Sequence, residues 1–147
     1  MVWNTRPEIR VEASAWIFFS VLILMLPLNW VLAVFMAALI HELCHFAVLR
    51  ILRVPVFAMR IGGRGAAMET GSMTQFQELL CTLAGPVGSF MLLLLVRIFP
   101  RLAICGLIQG IYNLIPLYPM DGGRIARCAI AVLRGKSHCK REKLGVQ

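Results

Sequence analysis

The sequence predicts an all-α integral membrane helix bundle of about four transmembrane helices with one short membrane-associated β-hairpin. Of its 147 residues, 59% are hydrophobic and only 15% are charged, and the mean hydropathy is +0.79. Soluble domains have a smaller apolar share. Four apolar runs of helix length are separated by turn residues, and one stretch between the second and third run alternates in the way strands do. We expect a single domain spanning residues 1–147.

The basic character of the chain indicates membrane topology rather than nucleic acid binding. The formal net charge is +8 and the pI is near 10.0, but the basic residues flank apolar runs instead of clustering with aromatic residues. With four spans, all of the 15 Lys and Arg except Arg97 and Arg101 lie on the same side of the membrane as the N-terminus. The positive-inside rule therefore places both termini and the hairpin in the cytoplasm. We expect a multi-pass cell-membrane protein that contacts lipid and has no nucleic acid partner.

The apolar runs define the predicted helices. The four spans are residues 13–28, 30–52, 78–99 and 102–117, and a shorter helix is expected over 125–133. The first run resembles a signal peptide, but no small-x-small cleavage site follows it and a second apolar run begins at once, which favours an uncleaved helix. The second run is long enough to cross a hydrocarbon core of roughly 30 Å. The basic tail that follows the last helix is expected to be mobile.

The polar stretch between the second and third spans predicts the hairpin. Residues 54–61 are rich in β-branched residues and alternate, 62–65 contain three glycines typical of a turn, and 66–69 are placed to pair back. A similar alternation around Ile9 suits a short strand at the membrane interface. We therefore expect a hairpin at the membrane surface, where its edge would be able to hold an extended substrate segment.

Local motifs mark the third and fourth helices. Thr74 with Gln77 three residues later predicts a capping box. The pair Gly85-Pro86 predicts either a kink or a close approach to a neighbouring helix, and the sequence leaves both open. The GxxxG pattern of residues 106–110 indicates that another backbone approaches closely there.

An HExxH motif lies within the second apolar run. On a helix, His41 and His45 are one turn apart on the same face, so both imidazoles reach one metal ion, and Glu42 lies beside them as a general base. A charged group at the bilayer centre costs roughly 2.5–3.5 kcal/mol. That cost favours a functional role over chance occurrence. The motif therefore predicts a catalytic zinc site.

A catalytic zinc ion takes three protein ligands and keeps one position for water, so a third ligand is needed. Away from the termini the carboxylates other than Glu42 are Glu69, Glu78 and Asp121. Asp121 lies in a segment whose prolines and glycines must break the helix, and such segments line cavities at membrane depth. We interpret Asp121 as the third ligand, although it would also serve as a cap for the following helix. His138 lies in the polar tail, where a solvated role is expected.

Two further residue types require an interpretation. Asn113 precedes the helix break by about one turn, where its carboxamide would hold substrate backbone or stabilise an oxyanion, or else bridge two helices. The five cysteines are odd in number and lie mostly in apolar runs, so we expect small buried residues rather than disulfides. Cys44 lies inside the HExxH motif but points away from the face shared by its two histidines, so it is not expected to bind the metal.

Three motifs together resemble those of a known family. They are HELCH at 41–45, LAGP at 83–86 and NLIPLYPMDGGR at 113–124. This set resembles the site-2 proteases, the zinc intramembrane metalloproteases, and within them the compact bacterial branch that includes stage IV sporulation protein FB. The resemblance implies that His41, His45 and Asp121 bind Zn²⁺. It also implies that Glu42 is the catalytic base and that Asn113 assists near the substrate.

The resemblance also carries an expected activity. It implies hydrolysis of peptide bonds within or next to the transmembrane segments of a membrane-anchored protein, such as a membrane-tethered transcription regulator or a sigma-factor precursor, with a regulatory membrane protein as a further partner. We expect neither the PDZ domain nor the CBS domain of larger relatives. One alternative is a non-catalytic membrane regulator with a structural zinc, which would retain its function in Glu42→Gln. Another is a metal transporter, which is disfavoured because no second polar helix continues a path.

Overall fold

The fold is a bundle of helices with a small sheet attached at one end. The computed structural model describes residues 8–63, 65–117 and 120–133. The helices are α1 (Ala13–Met25), α2 (Leu28–Ile51), α3 (Gln75–Met91), α4 (Pro100–Leu114) and α5 (Asp121–Leu133), with a 3-10 turn (Leu92–Leu95) extending α3, and the strands are β1 (Glu8–Val11), β2 (Val56–Gly62) and β3 (Gly65–Thr70). This mostly helical fold with one short hairpin confirms the predicted fold class in outline. The predicted mobile tail from Arg134 onward lies outside the described residues.

The sheet contains the predicted hairpin and one more strand. Its order is β1-β2-β3, with β1 parallel and β3 antiparallel to β2, so β2 is the central strand. Gly62 pairs with Gly65 across a two-residue connection. Gly65 has φ +115°, a conformation that suits glycine. The alternating stretch around Ile9 is β1, which pairs with Met59 and its neighbours.

The helix lengths differ from the four predicted spans. Among the described residues, two helices have the length and composition to cross a membrane, Leu28–Ile51 and Gln75–Leu95. Helix α1 has 13 residues and rises only about 20 Å at 1.5 Å per residue. It ends before Pro27, because a proline disfavours helical geometry in the residue that precedes it. Four spans therefore stay a prediction.

The start of α4 also departs from the prediction. The fourth predicted span begins at residue 102, but Pro100 is already the first residue of α4. Proline suits that position, because the first helical residue needs no hydrogen bond from its backbone nitrogen. The short last helix begins at Asp121, four residues earlier than the sequence pattern predicts.

Helix α3 lies at the centre of the bundle and packs against α2, α4 and α5. The capping box of Thr74 and Gln77 is present at its first turn. At the other end of α3, glycines of α4 allow the close approach predicted from GxxxG. A β-carbon on Gly106 would lie 2.8 Å from the Ser89 carbonyl oxygen, and one on Gly110 would lie 2.9 Å from the Phe90 ring. These contacts bring α4 close against the end of α3.

The outer faces of the helices are apolar. Exposed side chains of α1 include Trp16 and Leu24, which are 67% and 80% exposed. Further large apolar residues are exposed on α2, α3 and α4. Soluble monomers rarely expose continuous apolar surface of this extent, so the surface fits a lipid environment.

Candidate metal centre

Three buried side chains meet between α2 and the start of α5. His41 and His45 point inward from α2 and are 2% and 7% exposed, and Asp121 from α5 is 9% exposed. The two histidine Nε2 atoms are 3.2 Å apart. The Asp121 Oδ2 atom lies 3.2 Å from Nε2 of His41 and 3.1 Å from Nε2 of His45. The three residues predicted as metal ligands are therefore brought together, although Asp121 is distant from the histidines in the sequence.

The other nitrogen of each imidazole is tied to α3. Nδ1 of His45 lies 2.7 Å from the Cys81 carbonyl oxygen, and Nδ1 of His41 lies 2.9 Å from Ser89 Oγ. A carbonyl oxygen only accepts hydrogen bonds, so Nδ1 of His45 carries the proton. In the neutral ring its Nε2 then presents a lone pair to the Asp121 carboxylate. Two acceptor atoms thus face each other in a buried site.

This donor set fits a zinc ion. Zinc binds imidazole nitrogen and carboxylate oxygen at about 2.0–2.2 Å, and tetrahedral ligands at such distances lie about 3.3 Å from one another. The observed separations of 3.1 and 3.2 Å are close to that value. A cation at the centre would satisfy the converging lone pairs, which otherwise repel. Hydrogen bonds to the outer nitrogens are the usual way in which proteins fix metal-binding histidines.

Gly85 makes room for both imidazoles. A β-carbon at this position would collide with Nε2 and Cε1 of His45 and with Cε1 of His41. Pro86 is buried within α3, which continues from Gln75 to Met91 around it. Of the two possibilities left open for Gly85-Pro86, the structure therefore shows the close approach to a neighbouring helix.

Glu42 and Asn113 lie beside the three clustered residues. Glu42 is half-buried, and its carboxylate interacts with the backbone N–H of Ala66 in β3. The Nδ2 atom of Asn113 lies 3.4 Å from His41 Nε2, which links α4 to α2. The structure thus places all five predicted site residues around one point, while their roles stay predictions.

The contacts of Asp121 favour the ligand interpretation over the capping one. It is the first residue of α5, and its Oδ2 atom contacts both imidazoles. Arg124, one turn later, lies 3.7 Å from the Glu78 carboxylate and so links α5 to the first turn of α3.

The other candidate residues have different partners. Glu69 pairs with Arg60 at 2.6 Å on the sheet. The Cys44 side chain lies against Gly88, where a β-carbon would collide with its sulfur atom. The cysteines in the described part of the chain, Cys44, Cys81, Cys105 and Cys128, are free thiols. His138 and Cys139 lie outside the described residues.

Sequence reasoning missed the two groups of α3 that orient the histidines. Ser89 lies four residues after Gly85, on the face of α3 that meets α2, and this spacing is the only sequence signal for it. The Cys81 carbonyl gives no signal at all, since every residue has one. The approach of Gly85 was predicted as one of two possibilities.

Comparisons with known proteins agree with this geometry. The model of peptidase family M50 matches residues 67–147. The chain belongs to peptidase family M50. This match begins within the hairpin and includes α3, α4 and α5, while the HExxH motif precedes it. It confirms the resemblance to the site-2 proteases.

Two relatives support the assignment. A zinc metalloprotease of Methanocaldococcus jannaschii is 28% identical over 129 residues, which cover 78% of this chain and 36% of that protein. The chain thus spans about a third of the length of this curated relative. The solved structure of the site-2 protease from Methanocaldococcus jannaschii superposes with a TM-score of 0.71 and 25% identity, covering 84% of this chain and 67% of that chain. The fold is therefore that of a site-2 protease.

Proposed function

We propose that this M50 chain is a zinc metalloprotease that hydrolyses peptide bonds within or next to transmembrane segments of membrane-anchored proteins. The observation that carries the proposal is the convergence of three lone-pair donors, from His41, His45 and Asp121, with separations of 3.1–3.2 Å. Each imidazole is also oriented through its second nitrogen. The names of its relatives, a zinc metalloprotease and a site-2 protease, support the same activity.

The reaction is the addition of water across a peptide bond. When bound by His41, His45 and Asp121, zinc lowers the pKa of water towards about 7 and polarises the substrate carbonyl. Glu42 takes a proton from the attacking water as the new C–O bond forms. Glu42 then gives this proton to the leaving amine as the C–N bond breaks. The protein returns to its starting protonation state after each cycle.

Asn113 is placed to stabilise the charge that develops on the substrate oxygen. Its Nδ2 lies 3.4 Å from the nitrogen with which His41 faces the cluster. A carboxamide N–H beside the three clustered residues would donate a hydrogen bond to an oxyanion formed there. Such a donor is worth about 10²–10³-fold in kcat.

A substrate helix must be extended before its peptide bonds are accessible, and β3 offers an edge for that purpose. Because Gly62 and Gly65 close a two-residue hairpin, they form a hydrogen-bonded pair, and the next pair, Ile61 with Ala66, is not hydrogen-bonded. The N–H of Ala66 therefore faces outward, where it interacts with Glu42. An extended segment pairing with this edge would lie beside the base.

The proposed topology follows from charge and depth. The helix carrying HExxH is 24 residues long, and both histidines lie in its second half. With both termini and the hairpin in the cytoplasm, this half is the cytoplasmic one. We propose a multi-pass protein in the cell membrane that cleaves its substrates near the cytoplasmic face and is controlled by a regulatory membrane protein.

Zinc content and cleavage together test the proposal. The full chain is purified in detergent as wild type, Glu42→Gln and Asp121→Ala, and each variant is also co-expressed with a candidate membrane-anchored substrate. We expect about one zinc per chain in wild type and Glu42→Gln. We expect less zinc in Asp121→Ala and cleavage by wild type alone. Because general acid–base catalysis contributes about 10²–10⁴-fold, the loss in Glu42→Gln should reach that size.

Each result separates the protease from its alternatives. Cleavage that survives in Glu42→Gln would contradict the mechanism and favour a regulator with a structural zinc. Full zinc in Asp121→Ala would remove the third ligand. Asn113→Leu should keep its zinc while losing about 100-fold in cleavage, which distinguishes oxyanion stabilisation from a bridging role that affects only stability.

A further inference from the structure

Ser89 is the only side chain of α3 for which the described part of the chain shows a hydrogen bond with one of the two histidines. It is 0% exposed, and its Oγ lies 2.9 Å from Nδ1 of His41. Its backbone is held in place from the other side, since a β-carbon on Gly106 of α4 would lie 2.8 Å from its carbonyl oxygen. The hydroxyl therefore has a fixed place opposite the imidazole.

We propose that Ser89 is a positioning residue that fixes the tautomer and orientation of His41 for metal binding. Its hydroxyl accepts the Nδ1–H of His41, so the lone pair on Nε2 points towards Asp121 and His45. The inference rests on the proposed zinc site and adds a role that the HExxH motif does not assign. It concerns binding of the metal and not the chemical step.

The two histidines are held by different kinds of group, so a substitution at Ser89 should affect His41 and leave His45 in place. His45 donates to the main-chain carbonyl of Cys81, which no side-chain substitution removes. His41 depends on a side-chain hydroxyl. Removing that hydroxyl leaves a buried N–H without an acceptor and allows the other tautomer, in which Nε2 carries the proton and no longer binds a metal. Replacing Ser89 should therefore release His41 alone.

Helix α3 offers a matched control. Thr82 is also 0% exposed, but its hydroxyl donates to the Glu78 carbonyl of its own helix at 2.7 Å. Thr82→Val removes one buried hydroxyl from α3 at nearly constant volume. Ser89→Ala removes another, and within the described part of the chain only the Ser89 hydroxyl has a hydrogen bond with a histidine.

The first measurement is the affinity of the full chain for Zn²⁺, by competition with a chromogenic chelator in detergent. Loss of an outer partner of a metal ligand typically costs 10–100-fold in metal affinity. We expect a loss of about that size in Ser89→Ala and a change of less than about twofold in Thr82→Val. Equal affinities in the two variants, whether both unchanged or both reduced, would overturn the role of Ser89.

The second measurement identifies which histidine has been released. In the Co²⁺-loaded chain, each imidazole N–H of a bound histidine gives a paramagnetically shifted proton NMR signal. Wild type should show two signals that exchange slowly with water, and Ser89→Ala should show fast exchange for one. Two slowly exchanging signals in Ser89→Ala would overturn the inference.

If wild type bound no Zn²⁺, the proposed function itself would fail, whereas unaltered affinity in Ser89→Ala refutes only the role of Ser89.

Discussion

At the scale of single residues, the site depends on the absence of a side chain as well as on the presence of ligands. Gly85 faces the two imidazoles so closely that any β-carbon would overlap with them. Packed interiors relax only partly around an added methyl group. The clash would fall on His45 Nε2, one of the atoms that converge on the proposed zinc position. The glycine at position 85 is therefore needed to leave space for the two imidazoles, and not for the helical geometry of α3.

Gly85→Ala should displace the ligands. We expect zinc affinity to fall by more than about tenfold, because the loss exceeds that of an outer hydrogen bond. Gly88→Ala is the matched control, since its β-carbon would meet the Cys44 sulfur and no predicted ligand. Both variants should be destabilised by about 1–3 kcal/mol, measured by thermal unfolding, but only Gly85→Ala should lose zinc. Full zinc content in Gly85→Ala would contradict the close approach of Gly85 to the two imidazoles.

Site residues whose contacts are close in the sequence were easier to predict than those whose partners lie on other helices. The four-residue spacing of His41 and His45 specifies a shared helix face, so their meeting was predicted from the motif alone. Asp121 was found because few carboxylates are available. Ser89 was missed because a serine in an apolar helix also suits close packing, and its partner lies on another helix. Contacts between distant segments leave no spacing pattern in the sequence.

At the scale of elements, local chemistry predicted the type of each element better than its ends. The capping box at Thr74 and the hairpin around Gly65 involve neighbouring residues, and both are present. The sequence did not reveal that β1 pairs with β2, because a parallel pairing joins segments far apart in the chain. This pairing makes β2 the central strand, so among the described strands the sheet has its open edges at β1 and β3. The edge beside Glu42 is that of β3, and the proposed substrate pairing uses it.

A proline at Met68 tests the edge of β3. By alternation from Ala66, the N–H of Met68 faces outward, so Met68→Pro removes one hydrogen bond to a pairing segment and none to β2. We expect cleavage to fall about threefold to tenfold, since one hydrogen bond contributes about 0.5–1.5 kcal/mol. Met68→Ala loses the same packing and keeps the N–H, so it is the control. Equal cleavage by the two variants would show that β3 does not bind the substrate through this backbone group.

At the scale of the whole molecule, the site joins segments that enter from different directions. The histidines come from α2, their outer hydrogen-bond partners from α3, and Asp121 from α5. Helix α3 packs against both α2 and α5. Within the described ranges, Leu28–Ile51 and Gln75–Leu95 are long and apolar enough to cross a membrane. Composition predicted the membrane class, but it did not predict helix lengths, which depend on where Pro27 and the 3-10 turn interrupt the chain.

The orientation of the bundle is testable by cysteine labelling. Arg101 at the start of α4 and Ser72 between β3 and α3 are both exposed, and the charge distribution places them on opposite sides of the membrane. In a Cys139→Ser background, a membrane-impermeant maleimide should label Arg101→Cys in intact cells, but Ser72→Cys only after permeabilisation. Labelling of both variants in detergent controls for accessibility. The reverse pattern would place the hairpin, and with it the HExxH half of α2, on the external face, and substrates would then be cleaved from outside the cell.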